Sequence, residues 1–303
     1  MASFQEWTVK EPYLHLHSGL GEGPYYEKQT NTLRWVDIKQ KKLHSIDIDV
    51  GPDSLKTLQL DVAVTVTADI EGVDPKDKIL VGLKYGLAVL DRASGKYEYI
   101  DKLRIANPER IRTNDGAIDP NGRFWVGSMT DFGFGDFQPE GALHRFDGKE
   151  KQEVVIEGLT IPNSIGWSPD AKTMYYTHST EGTVYAWDYD VADGSYTNHR
   201  VFYKHPTPGH PDGFRVDTDG NLWHAVYGEG HVLKISPEGK VVGEIKLPTP
   251  NITCTQFVGT ELYCTSASMD EGDEGTEEQR KFGGALFKVD VGARGLDFYE
   301  FKL

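Results

Sequence analysis

Four polar side chains recur at nearly the same distance before an aromatic residue of a predicted strand. Two are carboxylates and two are amides, and 11 to 13 residues separate each one from its aromatic partner. A short apolar stretch and a turn containing Asp, Asn or Gly lie between them, so one local pattern repeats along the chain. The four pairs are Glu22 with Trp35, Asn114 with Trp125, Asn163 with Tyr175, and Asp212 with Trp223.

The first members of these pairs would together form an all-oxygen set of metal ligands. Ca²⁺, Mg²⁺ and Mn²⁺ prefer such ligands, and three oxygen ligands with open water positions could also hold Zn²⁺. The competing interpretation is that Asp and Asn at strand starts only form turns. The repeated spacing favours a binding site for the four, whereas the turn interpretation is the better one for Asp119, Asp170 and Asp217.

Strand-like segments recur along the whole chain with a period of 40 to 50 residues. A second strand follows each segment, and turn residues separate most of the repeats. Several strands per repeat at this period are typical of a β-propeller, and six repeats in 303 residues leave about 50 residues for each blade. One residue of each repeat serves as its marker: Trp35, Val81, Val126, Tyr176, Trp223 and Tyr263.

The predicted fold is all-β, a single six-bladed β-propeller domain over residues 1–303. Five blades would require discarding the repeat KILVGLKYG, and a β-sandwich would not show such regular internal similarity. In a closed propeller the innermost strands begin at one face of the central channel, so residues at equivalent strand starts converge on the axis. We also expect the segment LDFYEFKL, at the C-terminal end, to pair with the N-terminal blade.

Composition excludes several classes of partner. A formal net charge of −15 repels nucleic acids and anionic membranes. Cys254 and Cys264 each follow strand-like residues and are expected to be buried free thiols, because two cysteines make no disulfide framework. The N-terminus has no signal-peptide pattern, and no apolar stretch approaches 18 residues. We expect a cytoplasmic protein, and the sequence leaves its oligomeric state open.

Several segments resemble the SMP-30/gluconolactonase/regucalcin family in the same order. They are GEGPYYEKQTNTLRWVDI, RTNDGAIDPNGRFWVGSM, IPNSIGWSPDAKTMYYTHS, VYAWDYD and HPDGFRVDTDGNLWHAVYGEGHVLKISPEGKVVGEIKLP. The resemblance implies a six-bladed propeller that binds one divalent cation (Ca, Mg, Mn or Zn) on its axis and hydrolyses lactones of sugar acids.

The resemblance also implies roles for individual residues. It implies that Glu22, Asn163 and Asp212 are metal ligands, and that Asp212 is also the general base. It implies that Arg112 and Asn114 bind the substrate. Some family members have an acidic substrate contact just after the GSM segment, which makes Asp131 a candidate here.

The chain departs from the family pattern at three places. Ser164 follows Asn163 where Gly is usual, and His178 precedes Ser179 where Asp is usual. After the GSM segment, Phe132 and Phe134 predict a more apolar wall. The substrate could therefore be a deoxy-sugar or pentonic acid lactone instead of gluconolactone.

The expected chemistry is metal-assisted ester hydrolysis. A divalent cation would polarise the lactone carbonyl, Asp212 would take a proton from water, and Arg112 and Asn114 would orient the sugar hydroxyls. Two residues are assigned supporting roles. His210 could reach the pocket, although a place at the surface or behind the site is favoured, and Asp115 is expected to bond the neighbouring blade.

Two other functions stay open. One is a calcium-binding regulatory or protein-interaction propeller without catalysis, and the other is a paraoxonase-like hydrolase of another ester. A substrate panel would separate them from a sugar lactonase.

Overall fold

The computed structural model describes residues 4–149, 151–206 and 208–303. Its strands, in chain order, are β1 (Gln5–Thr8), β2 (Gly21–Glu27), β3 (Thr32–Asp37), β4 (Lys42–Asp47), β5 (Lys56–Gln59), β6 (Val64–Ala68), β7 (Lys78–Leu83), β8 (Gly86–Asp91), β9 (Tyr97–Lys102), β10 (Ile111–Ile118), β11 (Phe124–Thr130), β12 (Gly141–Phe146), β13 (Gln152–Leu159), β14 (Pro162–Trp167), β15 (Thr173–His178), β16 (Thr183–Tyr189), β17 (Tyr196–Lys204), β18 (His210–Val216), β19 (Leu222–Tyr227), β20 (His231–Ile235), β21 (Val241–Lys246), β22 (Ile252–Val258), β23 (Glu261–Ser266) and β24 (Phe287–Asp290). Short 3₁₀ helices span Gly51–Ser54 and Ser179–Glu181, and α1 spans Glu277–Phe282.

The strands form six sheets, one for each predicted repeat, and the strands within each repeat pair antiparallel. Blades I to V begin at β2, β6, β10, β14 and β18, and blade VI contains β22, β23 and β24. The first strands of successive blades contact one another in a closed ring, with β22 against β2. The predicted six-bladed propeller is confirmed, and all six marker residues lie buried on the second strand of their blade.

Closure of the ring differs from the prediction for the C-terminal segment. An N-terminal segment completes the last two blades: β1 pairs in parallel with β21, and Leu14 pairs with Leu286 beside β24. These contacts cover edges that would otherwise expose unpaired backbone groups.

Residues 295–302 do not add a strand to blade I, so that prediction was wrong. They cross the end of the channel where the inner strands finish, with Gly295 bridged to Asp217 and Phe301 to Ile70. Phe298 stacks on Tyr25 at 4.3 Å between ring centroids, and Phe301 is fully buried. The segment looks like a strand in sequence, but Phe298 and Phe301 pack at the channel end, whereas Tyr299 is exposed. A cavity of about 310 Å³ lies beneath it.

Buried aspartates hold two of the turns between the first and second strands. Asp217 accepts hydrogen bonds from the backbone N–H of Asn221 at 2.8 Å and from Trp223 Nε1 at 2.8 Å. Asp119 accepts the equivalent bond from Trp125 Nε1 at 2.9 Å. Asp170 is exposed and bonds its own turn through the N–H of Lys172 at 3.1 Å. The turn interpretation of all three residues is confirmed.

Buried neutral groups complete the interior. Cys254 and Cys264 are free and buried, as predicted. His144 lies on β12, between β11 and β13. Its Nε2 lies 2.8 Å from Ser128 Oγ, and its Nδ1 has no hydrogen-bond partner in the part of the chain that the structure describes. Within the described ranges, no helix has the length and apolar character needed to cross a membrane.

His144 predicts a loss of stability in mild acid. Burial lowers the pKa of its imidazole to about 4, below the unfolded value near 6.5. Between pH 6.5 and 4, His144 therefore binds a proton in the unfolded chain but not in the folded chain. The free energy of unfolding thus falls as the pH falls from 6.5 towards 4. Between pH 6.5 and 5 this residue should cost about 2 kcal/mol. Urea unfolding at both pH values should show a smaller drop for His144→Gln, and equal drops would contradict the assignment.

Candidate active site

Each of the six inner strands contains a bulge near its start. At that point the inner strand has one residue more than the neighbouring strand, so the pairing shifts and side chains are re-aimed. Because the inner strands form a closed ring, the bulges form a ring at one end of the channel. The shifts lie between Glu22 and Tyr25, Val64 and Val66, Thr113 and Gly116, Pro162 and Ile165, Pro211 and Phe214, and Ile252 and Thr255.

Three of the four predicted strand-start residues occupy the same bulge position. Asn114, Asn163 and Asp212 are each the first residue after the last regular pair. Glu22 does not share this position, because it is itself the last paired residue and lies one place earlier. The positive φ of Gly23 (53°) turns the chain directly after Glu22. The predicted equivalence is therefore correct for three blades and displaced by one residue in the first.

Glu22 and Asp212 nevertheless lie close enough to repel each other. Burial raises the pKa of Asp212 well above its ordinary value, and the charges of Glu22 and Asp115 raise it further. Burial and the charge of Asp115 likewise raise the pKa of Glu22. Three buried carboxyl groups thus share one channel end, where a nearby positive charge favours their ionised forms.

Asn163 links this carboxylate set to the next blade. Its Nδ2 donates to Asp212 Oδ1, and also to Ser179 Oγ at 3.2 Å. A primary amide carries an acceptor oxygen beside its donor nitrogen, so rotation of the group would present an oxygen to the same point. The oxygens of Glu22, Asn163 and Asp212 are the donor set that a hard divalent cation prefers. This donor chemistry fits the cation that the sequence predicts.

Arg112 lies buried beside the carboxylates. Its Nη1 donates to Asn114 Oδ1 at 2.8 Å, and its Nε lies 3.6 Å from Asp131 Oδ1 with no hydrogen-bond partner among the described residues. Burial lowers the pKa of Arg112, while the charges of Asp131, Glu22 and Asp212 oppose the shift.

The structure therefore brings the predicted substrate residues together at the same channel end. Asn114 Nδ2 donates to the backbone oxygen of Pro162 at 2.9 Å, which fixes its amide. Asp131 forms an ion pair with Lys84 at 2.8 Å.

Phe132 supplies the apolar surface that the sequence predicts. The guanidinium of Arg112 lies 4.6 Å from the centroid of its ring. Phe134 is more exposed, with the ammonium group of Lys84 5.6 Å from its ring centroid. The loop after β11 thus places one aromatic face directly against the buried arginine.

Ser164 joins three blades behind the site, which the sequence did not indicate. Its hydroxyl lies 2.8 Å from the backbone oxygen of Asp212 and 3.2 Å from Asp115 Oδ2, and it accepts from the N–H of Phe214 at 2.8 Å. The predicted bond from Asp115 to a neighbouring blade is confirmed through this serine. The only sequence signal was the departure from Gly at this position.

Three histidines lie near the site. His224 was missed, and its buried Nε2 lies 3.0 Å from the backbone oxygen of Asp212. His210 is exposed, with Nδ1 3.4 Å from the oxygen of Ser179, which confirms a surface position. His178 is buried and accepts from the N–H of Thr160 at 3.2 Å, so it supports the connection before β14.

Known proteins share this chain's length and organisation. The pentonolactonase XacC of Haloferax volcanii is 32% identical over 91% of this chain and 92% of its own length. The 6-deoxy-6-sulfogluconolactonase of Pseudomonas putida is 32% identical over 88% of both chains. The crystal structure of regucalcin from Agrobacterium tumefaciens, described as a calcium-binding protein, is 25% identical. The structural alignment covers 100% of both chains, with a TM-score of 0.88.

The family model for the SMP-30/gluconolactonase/LRE-like region matches residues 20–268, which include all six inner strands and their bulges. The chain therefore belongs to the SMP-30/gluconolactonase/LRE-like family.

Proposed function

We propose that this protein is a lactonase that opens the cyclic ester of sugar acids at the channel end formed by the bulges. The observation that carries the proposal is the pair of buried carboxylates, Glu22 and Asp212, beside the buried Arg112, whose Nε has no hydrogen-bond partner among the described residues. A channel that served only to pack six blades would gain nothing from burying these charges. The two relatives named as lactonases support the same activity.

The reaction adds water to the lactone carbonyl carbon and breaks the ring carbon–oxygen bond. Asp212 takes a proton from the attacking water and returns one to the ring oxygen that leaves. In the metal-free chain, burial and the charges of Glu22 and Asp115 raise the pKa of Asp212. His224 and Ser164, which contact the Asp212 backbone oxygen, hold this residue in place.

Glu22, Asn163 and Asp212 would hold a divalent cation. When bound, the cation would polarise the lactone carbonyl and stabilise the negative charge that develops on its oxygen. The oxygen ligands allow Ca²⁺, Mg²⁺, Mn²⁺ or Zn²⁺.

Arg112, Asn114 and Asp131 would orient the substrate. Arg112 Nε is free to donate to a sugar hydroxyl, and Asp131 can accept from one. Phe132 covers one face of Arg112 and leaves less room for polar groups. We therefore propose a pentonic or deoxy-sugar acid lactone as the preferred substrate.

A lactone panel tests the proposal. The chelated protein, reloaded with Ca²⁺, Mg²⁺, Mn²⁺ or Zn²⁺ in turn, would be assayed by proton release with xylonolactone, rhamnonolactone, gluconolactone and unsubstituted valerolactone. We expect hydrolysis of a hydroxylated lactone, loss of activity on chelation and recovery with a metal.

Each outcome of the panel tests a different part of the proposed function: the metal role, the substrate class or the lactonase activity itself. Full activity after chelation would refute the metal role. Preference for valerolactone would favour an ester hydrolase of another class. Metal binding without hydrolysis of any lactone would favour a calcium-binding regulatory protein.

A further inference from the structure

Three potential metal ligands meet on the rim of blade V, apart from the bulge ring. His205 lies in the connection between β17 and β18, Glu229 lies in the turn between β19 and β20, and His231 is the first residue of β20. One nitrogen of each imidazole and one oxygen of the carboxylate lie within 4.8 Å of one another. The site lies at the same end of the propeller as Asp212, because β18 begins and β19 ends there.

Both imidazoles converge on the same carboxylate oxygen. His205 Nε2 lies 3.1 Å and His231 Nε2 lies 3.0 Å from Glu229 Oε2. A metal about 2.0–2.2 Å from each ligand separates neighbouring ligand atoms by roughly 3.0–3.5 Å. The two nitrogen–oxygen separations fall in this range, and the two imidazole nitrogens lie within 4.8 Å of each other.

Outer contacts hold two of these side chains in place. Tyr203 OH lies 3.2 Å from His205 Nδ1, and the N–H of Gly209 donates to Glu229 Oε1 at 3.1 Å. Metal-binding histidines and carboxylates usually have such partners on the atom that faces away from the metal.

The imidazole of His231 provides a second, independent observation. Its Nε2 is buried and makes no hydrogen bond with any residue that the structure describes, although Glu229 Oε2 lies 3.0 Å away. A buried polar nitrogen without a partner is costly. The side chains of Glu229 and His231 are about one-fifth exposed, at 21% and 20%, which leaves room for water to complete a coordination sphere.

We propose that His205, Glu229 and His231 form a second metal site that binds Zn²⁺ or a chemically similar transition metal. Two imidazole nitrogens and one carboxylate oxygen suit Zn²⁺ and Co²⁺, whereas Ca²⁺ and Mg²⁺ prefer oxygen ligands. The ion would tie the connection before β18 to the turn before β20. It would thereby stiffen the segment that leads to Asp212. The proposal does not depend on lactonase activity.

The test is metal binding in the presence of excess Ca²⁺, which occupies oxygen-ligand sites but competes poorly for imidazole. Zn²⁺ binding would be measured by calorimetry, and Co²⁺ binding by its visible absorption, for the full chain and for His231→Gln and Glu229→Gln. His199→Gln is the matched control, since His199 is an exposed histidine on the neighbouring blade. We expect one Zn²⁺ per chain beyond the Ca²⁺-saturated sites, weakened at least about 100-fold in either ligand variant and unchanged in the control.

A second measurement guards against misfolding of a variant. Zn²⁺ should raise the melting temperature of the unaltered protein in excess Ca²⁺, because a ligand that binds only the folded state stabilises it. It should leave the melting temperature of Glu229→Gln unchanged. The proposal fails if the unaltered protein binds Zn²⁺ no more tightly than the two ligand variants, since the three residues would then form only an ion pair.

Discussion

Replacement of Asp212 by asparagine should lower kcat/KM for the best lactone by about 10²- to 10⁴-fold, the range expected for loss of a general base. The amide keeps the shape of the side chain but cannot accept the proton from water. It would also be a weaker metal ligand than the carboxylate. The measurement is the initial rate of proton release over a range of substrate concentrations.

The stability of Asp212→Asn separates a catalytic role from a structural one. The carboxyl is buried with Glu22 and Asp115, and both charges disfavour its ionised form. In the metal-free protein we therefore expect the variant to melt at the same temperature or higher, because a repelled charge has been removed. A structural residue would instead lose stability together with activity.

Asp219→Asn is the matched control for charge. It removes one carboxylate from the same blade at an exposed turn position, so we expect unchanged kcat/KM. Comparable activity losses in both variants would remove Asp212 from the proposed mechanism.

Replacement of Asp217 by alanine should lower the free energy of unfolding by about 3–5 kcal/mol. Asp217 follows the end of β18, whereas Asp212 lies near its start. The carboxylate accepts from the N–H groups of Asp219 and Asn221, from Asn221 Nδ2 and from Trp223 Nε1. Alanine would leave several of these buried donors without partners, and each unsatisfied donor costs about 1–3 kcal/mol.

Urea unfolding measures this effect, and the same turn contains its control. Asp219→Ala removes an exposed side chain two residues away and should change stability by no more than about 0.5 kcal/mol. If both substitutions cost the same, the turn as a whole, and not the buried carboxylate of Asp217, would be the stabilising feature.

The repeat made the fold predictable, because six copies of one local pattern reinforce one another. Trp35, Trp125 and Trp223 follow their turns at regular spacing, and that regularity reflects the fixed length of an inner strand and its turn. The C-terminal segment has no repeat partner. Its closely spaced aromatic residues, Phe298, Tyr299 and Phe301, are therefore compatible with a strand or with a segment that fills the channel end.

The site was predictable only as far as the spacing extends. Spacing identified Asn114, Asn163 and Asp212, since all three share a bulge position. It could not show that Glu22 lies one residue earlier, because backbone conformation at Gly23 decides this.

Residue spacing in the sequence could not predict side-chain contacts between blades. Ser164 contacts residues about 50 positions away on two other blades. His205 meets Glu229 and His231 across a connection and a turn. Such contacts depend on how blades pack together, and a single sequence contains no direct record of that packing.

The ring of bulges has a consequence for how this protein could diversify. Two bulges carry threonines, and their hydroxyls bond backbone oxygens: Thr65 to Gly82 at 3.3 Å and Thr253 to Gly21 at 2.6 Å. The backbone that makes each bulge is set by the blade, whereas the side chain at the bulge is set by one codon. Evolution or engineering could thus change ligand charge and substrate preference one position at a time, while the hydrophobic layers between blades keep their residues.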